Sequence, residues 1–166
     1  MKQQFISRLL MGAVLLSAGN SIWAQDTIPI KELPPVTVTS TEKFVPEKVW
    51  TNFIQYFSNA ENPTWFTVNK DFLIKFMTDD NLNHALFTKR GKLVYHISYG
   101  YEKNLPDDIR SQVKSAYYDY NIIRAIKVTE ADRVIWVVNL EDATSLILVR
   151  LEQGDMEEIQ KLNKSS

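Results

Sequence analysis

The chain has 166 residues, 45% of them hydrophobic, with 19 basic and 20 acidic side chains and a formal net charge of −1. No excess of cations is present to hold phosphate, so nucleic acid is excluded as an expected partner. With no cysteine, disulfides, a thiol nucleophile and a cysteine-borne lipid anchor are excluded too.

Residues 1–24 read as a secretory signal. Lys2 and Arg8 supply the positive start, and Leu9 to Leu16 is an apolar run too short to span a membrane. Ile22-Trp23-Ala24 ends on a small residue suited to cleavage before Gln25. The expectation is an exported protein, periplasmic or secreted, with no membrane span after signal removal. Residues 25–44 form an extended, Pro-containing leader. Pro29, Pro34 and Pro35 break any helix, and Val36-Thr37-Val38-Thr39 alternates as a strand does. The leader is either a flexible link or an arm that adds to a sheet edge.

The spacing predicts a first helix from Pro46 to Ser58. Val49, Phe53, Ile54 and Phe57 make one apolar stripe, and Asn62-Pro63 stops the helix. Four strands follow at about 64–69, 71–78, 83–89 and 92–101, separated by turn residues such as Asp79-Asp80-Asn81 and Gly91. Leu105-Pro106-Asp107-Asp108 opens a second helix, with acids placed to favour the dipole and a stripe of Ile109, Val113, Ala116 and Tyr117. Three strands come next, at about 121–129, 133–140 and 144–151. Met156, Ile159 and Leu162 suggest that the tail, 155–166, holds a short amphipathic helix.

The second half echoes the first. Pro46-Glu47-Lys48-Val49 aligns with Pro106-Asp107-Asp108-Ile109, Phe53 with Val113, Phe57 with Tyr117 and Gly91 with Gly154. The expected domain covers 45–154 in two repeats, 45–104 and 105–154. The expected fold class is α+β: a tandem repeat of helix plus antiparallel meander, with the helices packed on one face of an antiparallel sheet. Alternation places Phe72, Ile74, Phe76, Ala85, Phe87, Trp136, Val138, Ile147 and Val149 under the helices. It adds Leu93, Tyr95, Ile97, Tyr99 and Tyr101 to them. The opposite face then carries Leu73, Lys75, His84, Leu86, His96, Ile135, Val137, Leu148 and Arg150. An open antiparallel face is usually polar. This one is rich in aliphatics, so these nine residues are the candidate partner-binding site unless the leader or tail covers them.

No constellation suggests catalysis, and no cofactor or metal is expected. His84 and His96 lack the further ligands a metal needs. Ser98 follows His96 but has no oxyanion pattern around it. The carboxylates are dispersed among turns and helix starts, and no glycine-rich phosphate loop exists. Tyr118 is the aromatic best placed for exposure, because Tyr117 takes the stripe position.

The ordered set Phe57-Ser58-Asn59-Ala60, Trp65, Phe76, Ala85-Leu86-Phe87 and Gly91, then Leu105-Pro106, Tyr117, Tyr120-Asn121-Ile122 and Ala125, resembles the secreted PepSY-like proteins of Bacteroidetes. The signal ending in Ala24-Gln25 fits the same resemblance. Lys92-Leu93 departs from it, standing where members often carry an aromatic. That family is similar in fold to the beta-lactamase inhibitor protein. The resemblance implies an exported, non-enzymatic protein-binding module, an inhibitor or regulator of an envelope or secreted enzyme. A carrier of a small apolar ligand and a structural subunit of an envelope assembly are the alternatives.

Overall fold

The computed structural model describes residues 44–165 and the backbone of Val38–Ser40. The elements in chain order are β1 (Val38–Ser40), α1 (Glu47–Tyr56), β2 (Glu61–Val68), β3 (Asp71–Thr78), β4 (Asn81–Phe87) and β5 (Leu93–Gly100). A short 3-10 turn (Glu102–Asn104) leads to α2 (Asp107–Ala116), β6 (Asn121–Glu130), β7 (Arg133–Glu141), β8 (Ser145–Glu152) and β9 (Asp155–Asn163). The nine strands form one antiparallel sheet in sequential order, β1 to β9.

This architecture corrects the expected α+β tandem repeat of helix plus meander. The described residues are mostly β, with one uninterrupted antiparallel meander and two short α-helices. The reason is direct pairing between β5 and β6: Tyr95–Gly100 runs against Ala125–Glu130, so the sheet continues across the join. The expected helix in 155–166 is also corrected, because residues 155–163 form β9 on the edge of β8. Gln153 and Gly154 both take positive φ, at 53° and 90°, and such a pair folds a tight hairpin. The hairpin returns the chain alongside β8 before a helix can form. Val38–Ser40 of the leader pairs antiparallel with β2. The signal sequence, 1–24, and the rest of the leader lie outside the described residues.

Each helix lays part of its expected stripe on the same side of the sheet; Ile54 and Ala116 stay exposed. Val49 and Phe53 of α1 pack with Trp65, Phe72, Ile74, Phe76, Ala85 and Phe87 in one core cluster. Val113 of α2 packs with Ala125, Val138, Leu140, Ile147, Val149 and Leu151 in another. Phe53 is 0% exposed. Its ring centroid lies 5.1 Å from that of Phe76 and 5.3 Å from that of Trp65, both edge-on. Such contacts add to the burial of apolar area.

Side-chain amides fasten both helices to hairpin turns. Asn52 Nδ2 donates to the Gly91 carbonyl at 2.7 Å, and Gln112 Nε2 donates to that of Gly154 at 2.8 Å. Gly91 has φ of +82°, and a Cβ there would come within 2.9 Å of the Lys48 carbonyl oxygen. Only glycine lets this turn sit so close to α1.

Two outcomes are expected in denaturant unfolding. Phe53→Ala should lose about 3–5 kcal/mol, the cost of a large cavity in a close-packed core. Gly91→Ala should cost more than Gly154→Ala. Both positions carry the strain of positive φ, about 1–2 kcal/mol, but at Gly154 a Cβ would meet nothing within 4 Å.

Candidate protein-binding face

The strand register assigns each side chain to the helix side or to the helix-free side of the sheet, because cross-strand partners share a face. One cross-strand row on the helix-free side is Leu73, Leu86, Tyr95 and Glu130. The next is Lys75, His84, Ile97, Val128 and Ile135. A third is Met77, Leu82, Tyr99, Ile126, Val137 and Arg150. A fourth is Arg124, Asn139, Leu148 and Gln160.

The sheet thus brings Leu73, Lys75, His84, Leu86, Ile135, Val137, Leu148 and Arg150 to one face, as the sequence alternation suggests. It does not bring His96 there. His96 pairs with Ala85 and Thr129, on the helix side. The cause is an irregularity between Leu86 and Phe87: Leu86 faces Tyr95, yet Phe87 faces Leu93. The extra residue reverses the phase of β5. Tyr95, Ile97 and Tyr99, expected under the helices, therefore lie on the open face. Tyr101 sits beyond the strand, half-exposed beneath the Arg124 guanidinium, 4.7 Å from its ring centroid. Ile126 and Val128 are face residues that alternation along β6 could have suggested. Tyr118, on the turn after α2, is 79% exposed.

Around β5 and β6 the polarity is inverted. On the helix side these strands carry His96, Ser98, Lys127 and Thr129, and on the bare side Tyr95, Ile97, Tyr99, Ile126 and Val128. The bare-side residues are half-buried by one another. Two polar atoms at this face are buried without a partner among the described residues, His84 Nε2 and Asn139 Oδ1. An unmet buried group costs roughly 1–3 kcal/mol.

The charges are arranged around the aliphatic middle. Lys75 Nζ sits 5.1 Å from the Phe66 ring centroid. Arg150 is ion-paired with Glu152 and lies 3.6 Å from Glu157. A groove of about 260 Å³ opens among Ile123, Asn139, Leu146, Leu148, Gln160 and Leu162. Among the described residues no group of three or more His, Asp or Glu is placed to hold a metal ion, and no helix is long and apolar enough to cross a membrane.

Solved structures share this fold, and three illustrate its range. A BLIP-like protein of Bacteroides fragilis is 12% identical, with a TM-score of 0.56 over 80% of this chain and 89% of that one. A DUF2874 family protein of Bacteroides ovatus is 15% identical, with a TM-score of 0.55 over 73% of this chain and 89% of that one. A protein of Bacteroides eggerthii, assigned provisionally to the periplasm, is 12% identical, with a TM-score of 0.54 over 73% and 90%. The fold is the BLIP-like one. No family model matches the chain. No curated protein matches it either.

The two histidines now have distinct surroundings. His84 rests against Tyr99, with ring centroids 5.0 Å apart, and burial followed by the charge of Lys75 lowers its pKa. His96 Nε2 lies 2.9 Å from Asn83 Oδ1. Asn83 Nδ2 donates to Thr78 Oγ1 and to the Asn81 carbonyl, so Oδ1 is left to accept from Nε2–H. The His96 ring packs 4.7 Å from Phe57. Burial, and then the Lys127 ammonium, push its pKa down from 6.5 to about 4.

A lowered folded-state pKa means that the unfolded chain binds the proton more readily between those values. The contribution of neutral His96 is complete above pH 6.5 and is lost as pH falls from there toward 4. Thermal melts at pH 7 and pH 5 should show the wild type losing more stability on acidification than His96→Gln. An equal loss would mean that His96 is not held neutral by the fold.

Proposed function

We propose that this chain is an exported, non-enzymatic protein-binding module that docks a folded partner on its helix-free sheet face. The observation that carries the reading is the inverted polarity of β5 and β6. A face left to water gains nothing from Tyr95, Ile97, Tyr99, Ile126 and Val128, whereas a contact surface does. At this face His84 Nε2, a donor or acceptor by tautomer, and Asn139 Oδ1, an acceptor, are buried without a partner among the described residues, and side-chain turns on docking would bring them to a partner's polar groups. Lys75 and Arg150 would set register at the margin.

The B. fragilis neighbour's description as BLIP-like supports a role in holding another protein. Together with the PepSY-like sequence pattern, it favours an inhibitor or regulator of an exported enzyme. The provisional periplasmic assignment of the B. eggerthii protein and the signal-like N-terminus favour the periplasm or the exterior.

The carrier reading fares less well. Phe53 and Val113 are fully buried beneath the helices, where an apolar ligand would have to sit. A recess of about 410 Å³ beside Phe57 and His96 is bordered by the charged Lys92 and Asp132, and the groove beside Leu148, at about 260 Å³, is smaller than the roughly 300–1,000 Å³ of usual ligand pockets. It suits one apolar side chain of a partner.

Affinity capture from the envelope and secreted fractions of the source organism tests the reading. Wild type should retain a partner that Ile126→Asp or Val137→Asp loses by at least about tenfold, the effect of a charge in an interface centre. Val134→Asp, 42% exposed on the helix side, should retain it. Circular dichroism checks that all three variants fold. No captured partner, or one indifferent to Ile126→Asp, would overturn the assignment of this face.

A further inference from the structure

The helix side of the sheet carries a separate recess between the two cores. Strands β4 to β7 place Asn83, Ser98, Lys127 and Trp136 in one cross-strand row, each paired with the next. Ser98, Lys127 and Trp136 line a recess of about 250 Å³, together with Asn81 and Asn104. None of the lining side chains is acidic.

Lys127 is the cation of this recess. It is half-buried, with Nζ 5.8 Å from the Trp136 ring centroid. Among the described residues it has no carboxylate within ion-pair reach. Asn81 holds a buried Oδ1 with no partner among the described residues. Asn104 is seated by Gly100: its Oδ1 accepts from Tyr101 N–H at 2.8 Å, and a Cβ at Gly100 would come within 2.7 Å of that oxygen. An ammonium without an acid among the described residues, a hydroxyl, a buried amide oxygen and an aromatic wall therefore meet in one small space. His96 stays neutral beside them, so it adds no second positive charge.

We propose that this recess binds a carboxylate that has an N–H donor close to it, as in an acidic residue of a peptide or a free acidic amino acid. Lys127 takes the carboxylate as a charge-assisted hydrogen bond, and Ser98 Oγ–H donates a second. Asn81, whose amide oxygen has no partner among the described residues, turns into the recess and accepts the neighbouring N–H. Trp136 covers the aliphatic stem. One lysine suits a singly charged group, whereas phosphate recognition favours an arginine fork. The volume accommodates one side chain and its adjoining peptide unit. The recess lies on the opposite side of the sheet from the proposed docking face, so failure of either proposal leaves the other standing.

The test is amide and indole NMR of the ¹⁵N-labelled full chain, titrated with three probes. N-acetylglutamate α-amide mimics the peptide residue, free glutamate is the metabolite form, and N-acetylglutamine α-amide is the neutral control. Saturable shifts at the Trp136 indole and at the Ser98 and Asn81 amides are expected with an acidic probe and not with the control. Lys127→Gln should weaken binding at least about tenfold, and Lys127→Arg should keep most of it. Response to the capped probe alone assigns a peptide source. Response to glutamate alone assigns the free amino acid. No saturable shift with either, or equal shifts with the neutral control, overturns the proposal. The control comparison uses wild type, so it decides the matter even if Lys127→Gln fails to fold.

Discussion

Two ten-residue helices have to cover one side of a nine-stranded sheet, and they are too small to do it. Each helix is about 15 Å long and about 10 Å across. Nine strands at about 4.8 Å spacing span about 38 Å. The helices therefore seal two patches, one around Phe53 and one around Val113, and leave a strip above β5 and β6 uncovered. The chemistry of those two strands follows. Their helix-side positions are polar, holding His96, Ser98, Lys127 and Thr129, and their apolar positions turn to the bare side.

This limit of cover accounts for both candidate surfaces. On the bare side it concentrates aromatic and β-branched residues in the middle of the sheet, flanked by leucines from β3, β4 and β8. On the helix side it leaves a recess whose lysine, among the described residues, has no acid within ion-pair reach. The two surfaces share the same strands, with alternate residues pointing to opposite faces. Ile126 and Val128 look one way and Lys127 the other.

Much of the element order was legible in the residues. Pro46 and Pro106 open the two helices, and Gly91 and Gly154 occupy turns with positive φ. Most of the candidate face was legible as well, because β3, β4 and β8 keep an unbroken two-residue period, buried residues on the helix side alternating with half-buried or exposed ones on the other. The phase of β5 was not. Leu93-Val94-Tyr95-His96-Ile97-Ser98-Tyr99 has its larger apolar residues in one phase, and a rule that sends the apolar phase to the core places His96 outside. The rule assumes that the covered side is the apolar side, and over β5 the cover is only partial, with Phe57 on His96 and Leu93 at the rim of the α1 core. The tail failed for another reason. Met156, Ile159 and Leu162 recur at a helical interval, but the open edge of β8 offers a row of backbone partners one hairpin away. Pairing along that edge overrides a weak local preference.

By itself, the sequence determined where the chain turns, which residues could form the two cores, and that no cysteine chemistry is available. Those properties are local: a proline at a helix start or a glycine at positive φ acts through its own backbone. Tertiary structure alone decided that the strands join into one meander and that β5 shifts its phase by one residue. It also decided that Lys127 lies beside Trp136 with no acid in ion-pair reach among the described residues. These depend on which strands become neighbours and on how far a short helix can reach. Both are set by packing between segments distant in the chain, so no single stretch of residues carries them.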